Sequence, residues 1–135
     1  MNEAVDVYQW SREDAIDLAE VFVKKNPGRH FVFLHVSGLD FVGPEHGWLS
    51  PEYMEELSYI DEYLTPLIQL VKEQKNYLII ITSDHAGHDK IHGSQHPDDF
   101  RLPLVIHSDR IEFRSIRNNK YVVTDLKGIL NRSLR

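Results

Sequence analysis

Apolar residues recur at Ala15, Leu18, Ala19 and Phe22, with Ile16 and Val23 beside them. This three-and-four spacing marks one face of a helix. Ser11-Arg12-Glu13-Asp14 opens the stretch as a capping box with Asp in place of the usual Glu, and Asn26-Pro27-Gly28 closes it. Phe31 to Val36 is short, apolar and rich in β-branched and aromatic residues, which predicts a buried strand. His35 inside it is then expected to be a core histidine rather than a ligand. Ser37 to Leu49 holds three glycines and a proline and predicts a loop.

Ser50-Pro51 predicts a second helix, with Ser as N-cap and Pro in the first turn. Leu57, Ile60, Leu64, Leu67 and Val71 give it one continuous apolar face. Pro66 breaks that pattern and predicts either a kink or a restart capped by Thr65. Tyr77 to Thr82 is the strongest strand signal, and its unbroken apolarity suits a central parallel strand covered on both faces. A polar loop from Ser83 to Arg101 follows, then a strand over Leu102 to Ile106 with Pro103 near its start. Ile111 to Ile116 reads as a short edge strand, and Thr124-Asp125 as the cap of a last helix through Leu134. The order of elements predicts an α/β fold: one domain over residues 1–135, with a mainly parallel sheet flanked by helices.

Composition narrows what such a domain can do. With 15 Lys+Arg against 21 Asp+Glu the net charge is −6, which argues against a nucleic-acid-coating or anionic-membrane-binding protein. There is no cysteine, so disulfide scaffolds, thiolate zinc sites and cysteine nucleophiles are excluded. No apolar run approaches the roughly 18 residues of a bilayer span. The opening residues also lack the basic start and apolar run of a signal peptide, so a cytoplasmic location is expected. One excess changes the picture. The chain has 8 histidines, and His85, His88, His92 and His96 crowd into one loop.

In α/β sheets ligands bind beyond the carboxyl ends of the strands. Asp84 and His85 are the first residues after the most apolar strand. A carboxylate placed there needs a partner, because an unpaired buried charge costs several kcal/mol or shifts its pKa. Neutral imidazole and carboxylate are ordinary ligands of zinc, manganese and iron, and a divalent cation would satisfy both. His88 and His92 lie four apart, and Gly93 after His92 lets the backbone pack closely. The plainer alternative is that Asp84 caps a turn and the histidines are solvated. Asp40 leaves the earlier strand candidate in the same way, although Asp near Gly and Pro is common turn chemistry. His96-Pro97-Asp98-Asp99 has the composition of a surface turn. Trp48 is expected to pack the start of the second helix, and His30 and His107 offer no argument for function.

These segments resemble the C-terminal half of the alkaline phosphatase superfamily, and in particular its type I phosphodiesterase/nucleotide pyrophosphatase and sulfatase-like branch. Those enzymes carry D-x-x-G-H-x-x-G, often followed by W-x-S-x-x-Y and a long helix. A strand ending T-S/A-D-H-G comes next, and then His-Gly ahead of a strand that begins Pro-Leu. The same order stands here as Asp40, Gly43, Gly47, Trp48, Ser50 and Tyr53, then Thr82-Ser83-Asp84-His85, His92-Gly93 and Leu102-Pro103-Leu104. The resemblance covers Phe31 to Ile106. It implies a partial alkaline-phosphatase-like fold, two divalent metals (zinc or manganese) and phosphoryl or sulfuryl transfer on a phosphate or sulfate ester. It further implies that Asp84 and His85 ligate the metal that activates the nucleophile, and that Asp40 and His92 ligate the other.

Two departures set the functional expectation. Pro44 stands where the family has a metal-binding His, and His46, two residues on, is the candidate replacement. The family's N-terminal half, which carries a metal-binding Asp and a Thr or Ser nucleophile, has no counterpart in residues 1–29. Four matched ligands then serve two metals, whereas a catalytic zinc usually needs three protein ligands. The expectation is therefore a metal-dependent phosphoric ester hydrolase segment that is weak or inactive as an isolated chain. The alternative is a non-catalytic metal-binding or protein-interaction module that keeps the fold. Either predicts an uncovered apolar sheet edge and hence self-association or a partner chain. A flavodoxin-like signalling domain is disfavoured: it would leave the clustered histidines unexplained, and no phosphate-cradling glycine loop follows a first strand.

Overall fold

In the computed structural model, which describes residues 11–110 and the backbone of residues 117–118 and 121–122, the cap signals at Ser11 and Ser50 both mark helix starts. Helix α1 runs Arg12–Lys25, and the Ser11 hydroxyl accepts the Asp14 N–H at 3.2 Å. Asn26 ends it, with both its backbone N–H and its side-chain amide donating to the Phe22 carbonyl at 3.0 and 2.8 Å. Helix α3, Pro51–Gln74, starts where Ser50 Oγ accepts the Tyr53 N–H at 3.1 Å. It passes through Pro66 without a restart. Thr65 lies inside the helix and donates its hydroxyl to the Asp61 carbonyl at 2.9 Å, so it is not a cap.

The chain divides into two units, Met1–Glu73 and Gln74–Arg135. In the first, Ile16, Ala19 and Val23 of α1 are buried together with Leu67 of α3. Phe22, Leu34, Val36, Tyr63, Leu64, Leu70 and Val71 pack around them. This is the core that the two helical patterns predict. Polar contacts add to it: Arg12 pairs with Glu56 at 3.0 Å, and Tyr63 donates to Asp17 at 3.1 Å.

Two expectations for this unit are corrected. Residues 31–36 form no strand. Leu34 and Val36 bury themselves against the helices, while Phe31 and Phe33 stay 85% and 82% exposed and His35 is exposed rather than in the core. Alternate residues thus face the helices without a sheet partner among the described residues. The second correction falls within 37–49, where a two-turn helix, α2, occupies Leu39–His46. The glycines that suggested a loop are its boundary and contact residues. Gly38 precedes it at φ 138° and Gly47 follows at φ 108°, both in backbone that favours glycine. Gly43 is buried inside it, and a Cβ there would lie 2.9 Å from the Trp48 ring. Trp48 sits against Tyr53 at 6.3 Å between ring centroids, packing the start of α3.

In the second unit β1, Leu78–Thr82, pairs with β4, Leu104–Ser108. The register joins Leu78 to Ser108 and Thr82 to Leu104, so the pair is antiparallel. The expected parallel sheet is thereby corrected for the described strands. An apolar run encodes what a strand can bury but not the direction of its neighbour. Leu78 and Ile80 are 55% and 57% exposed, so the faces expected to be covered lie open within the described unit. Pro103 falls just before β4, and its carbonyl accepts the Thr82 hydroxyl at 2.8 Å. Between β1 and β4 lie a small hairpin of β2, Gly87–His88, and β3, Ile91–His92, and a 3₁₀ helix, Pro97–Phe100. Strands β5, Arg117–Asn118, and β6, Tyr121–Val122, form a further antiparallel pair. The edge strand expected over 111–116 and the last helix over 124–134 lie outside the described residues. Among the described residues no helix is long and apolar enough to cross a membrane.

Candidate metal centre

Strand β1 ends at Thr82, and the chain turns at once through Ser83, Asp84 and His85. The Asp84 carboxylate accepts the N–H of the next residue, His85, at 3.1 Å. His85 Nδ1 lies 3.2 Å from the Ala86 carbonyl oxygen. A carbonyl can only accept, so Nδ1 is the donor, and in the neutral form of this ring the electron pair is on Nε2. That nitrogen is 4.0 Å from Asp84 Oδ1. A metal-ligating histidine is usually fixed in this way, with its second ring nitrogen donating to a backbone carbonyl or carboxylate.

The hairpin brings His92, expected as a ligand of the other metal, next to His85. Gly87 pairs with His92 across β2 and β3. The His85 and His92 rings then stack at 4.3 Å between centroids and 10° between planes. Gly93 follows at φ 73°, a conformation that costs a residue with a side chain more than it costs glycine. Asp84, His85, Gly93 and Ser94, with Asp99, Phe100 and Leu102, line a cleft of about 230 Å³. It is smaller than the roughly 300–1,000 Å³ of an ordinary small-molecule pocket. Asp84 is open, with 72% of its side chain exposed.

Asp40 and His46 belong to the first unit and share α2. Six residues separate them, which on a helix is about 9 Å of rise and about 120° of rotation. The helix therefore does not turn both toward one point, as His46 replacing a ligand beside Asp40 would require. Asp40 is close enough to Tyr53 to act on it: burial, and then the Asp40 charge, push the Tyr53 hydroxyl pKa up. His46 Nε2 lies 3.7 Å from Glu45 Oε1. Pro44 sits within α2 and has no N–H to give the Asp40 carbonyl.

Among the described residues, the group of three ligand atoms close enough to share an ion is not Asp84, His85 and His92 but one that sequence reasoning passed over. His88, His96 and Asp99 each offer one atom, and these atoms all lie within 4.8 Å of one another. His96-Pro97-Asp98-Asp99 reads as surface turn composition, yet it folds as a capped 3₁₀ helix with Asp99 buried. The signal was a capping residue, a Pro at the first position and an Asp three after the cap. In a 3₁₀ turn, side chains three apart eclipse one another.

Residues 2–106 match the sequence profile of the family described as type I phosphodiesterase / nucleotide pyrophosphatase. Among curated proteins the chain is similar to GPI ethanolamine phosphate transferase 1 of Emericella nidulans, 32% identical over 91 residues, which is 64% of this chain and 10% of that protein. The protein of the same name in Yarrowia lipolytica is 35% identical over 78 residues, 54% of this chain and 8% of that one. The one in Candida glabrata is 35% identical over 77 residues, again 54% and 8%. The chain thus spans about a tenth or less of the length of these relatives. No solved structure matches.

Proposed function

Because the chain belongs to the type I phosphodiesterase / nucleotide pyrophosphatase family, we propose that it is the metal-holding C-terminal part of a metal-dependent phosphoester-cleaving or phosphoester-transferring catalytic domain, with little or no turnover by itself. One observation carries this reading. At the end of β1 the Ala86 carbonyl fixes His85 with Nε2 as the electron-pair donor, beside Asp84 and stacked on His92. Two imidazoles and a carboxylate fit zinc or manganese, which as a Lewis acid would neutralise charge on phosphoryl oxygens and lower the pKa of the attacking group. The chain's own residues supply orientation. Asp84 accepts the His85 N–H, the Ala86 carbonyl orients the His85 ring, and Gly93 takes the positive φ that follows His92.

Asp40 is proposed as a ligand on α2, with the position beside it weakened by Pro44. His46 is the weaker candidate, since the helix turns it away from Asp40. The names of the relatives suggest a phosphoethanolamine-type ester as the substrate class of the complete domain. Sulfate esters stay the secondary class.

The test is direct. The purified chain, with zinc or manganese added, is assayed on nitrophenyl phosphate mono- and diesters, and metal uptake is measured in parallel. We expect uptake that Asp84→Ala weakens, with turnover at or near background. Robust turnover abolished by Asp84→Ala would overturn the inactivity. Pro44 favours a second reading, a non-catalytic interaction module. No uptake of either metal at micromolar concentration, with an unchanged melting temperature, would establish that reading instead.

A further inference from the structure

We propose that His88, His96 and Asp99 form a separate zinc site whose ligands are independent of Asp84, His85 and His92. Each side chain is set in place by a different backbone device. His88 ends β2, just before a tight turn in which Asp89 takes φ 48°. His96 caps the 3₁₀ helix, its Nδ1 accepting the Asp98 N–H at 3.3 Å. Asp99 lies inside that helix, 5% exposed, and its own carbonyl accepts the Ala86 N–H at 3.1 Å. The His88 and His96 rings stack at 4.0 Å and 19°.

The carboxylate leaves room for an ion. Asp99 Oδ2 accepts both the backbone N–H and the hydroxyl of Ser94, each at 2.7 Å. Oδ1 meets only His88 Nδ1 among the bonds seen, also at 2.7 Å. A carboxylate has about four acceptor positions, so one remains on Oδ1, beside the imidazole nitrogen that would share the metal. Zinc held at about 2.0–2.2 Å by each ligand sets tetrahedral ligand atoms about 3.4 Å apart. The His88–Asp99 pair must open by some tenths of an ångström and His96 must close in. To bind through Nδ1, His88 must give up the proton it donates to Asp99 Oδ1 and carry its remaining proton on Nε2, so zinc replaces that hydrogen bond. Three protein ligands with a fourth position for water is the usual pattern of an open zinc site.

The outcome is read by zinc stoichiometry from equilibrium dialysis of the full chain, and by the imidazole nitrogen resonances of its histidines as zinc is added. His96→Asn is the chosen variant because His96 is exposed and the core does not depend on it; far-UV circular dichroism checks that it folds. We expect His96→Asn to lose one zinc equivalent or bind it at least about tenfold more weakly, in the wild type and in an Asp84→Asn background alike. In the Asp84→Asn protein the His88 and His96 resonances should still shift with zinc. Equal zinc binding by wild type and His96→Asn, or zinc that leaves the His88 and His96 resonances unmoved, would overturn the site. Loss of zinc only on Asp84→Asn would support the phosphoesterase reading and sink this one.

Discussion

At the scale of single residues, Gly43 and Asp99 show how much a position can depend on its neighbour. Replacing a helical glycine by alanine ordinarily gains up to about 1 kcal/mol. At Gly43 the new Cβ would meet the Trp48 ring at 2.9 Å, and overpacking of that kind costs about 1–3 kcal/mol. The clash wins, because Trp48 is also packed against Tyr53 and a ring cannot bend away as a lysine could. Gly43→Ala should therefore lower stability by roughly 1–2 kcal/mol. Its near-UV circular dichroism should change with it; a variant as stable as wild type would mean that Trp48 is free to move.

Asp99 gives the pH dependence. The hydrogen bond from His88, with the two from Ser94, holds its carboxyl at about 2, against about 3.9 in an unfolded chain. A depressed carboxylate stabilises the fold above its unfolded value, and that stability is lost as pH falls through the folded one. In the metal-free protein the stability gap between wild type and Asp99→Asn should be full above pH 4 and close toward pH 2. Chemical denaturation across that window reads it. A gap that stays constant through the window would remove Asp99 from the acid response.

At the scale of elements, what the sequence disclosed and what it hid follow one rule. Most signals that act within a few residues came through, the helix over Leu39–His46 excepted: Ser11 and Ser50 cap the helices, and the apolar face of α3 buries Ile60 and Leu67. Signals that depend on a distant partner did not. Phe31 to Val36 has strand composition, but a strand exists only with a neighbour, and here Leu34 and Val36 find helices instead. Tyr77 to Thr82 was placed correctly within a residue, while the direction of its partner is invisible in its own sequence. The candidate metal ligands divide the same way. Asp84, His85 and His92 stand out beside a strand end and a glycine, whereas His88, His96 and Asp99 come together only through a hairpin and a 3₁₀ turn. Ser50 offers the local test. Removing its hydroxyl from the Tyr53 N–H should cost about 1 kcal/mol, and Ser50→Asp should restore it, since Asp caps as well as Ser and adds a charge that suits a helix start. If Ser50→Ala melts with wild type, the cap is not what starts α3.

At the scale of the whole molecule, the two units are held by different forces. Among the described residues the buried hydrophobics, Ile16, Ala19, Val23, Ile60 and Leu67, all lie on α1 and α3. The buried residues among those described in the second unit are Asp99 and His107, both polar and both hydrogen-bonded, His107 to the Tyr77 hydroxyl at 2.8 Å. The first unit should therefore respond to loss of apolar volume and the second to ions. Ile16 is 2% exposed, so Ile16→Ala should cost about 2–5 kcal/mol, read as faster amide exchange along α1 and α3. Zinc at a hundred times its Kd should add about 2.7 kcal/mol wherever it binds, seen as slowed exchange over residues 84–99 and reversed by a chelator. The decisive pattern is the crossing of the two: Ile16→Ala leaving β1 and β4 protected, and zinc leaving the centres of α1 and α3 unchanged. If either perturbation shifts all amides by the same free energy, the chain unfolds as one cooperative body and the division between an apolar unit and an ion-tied unit fails.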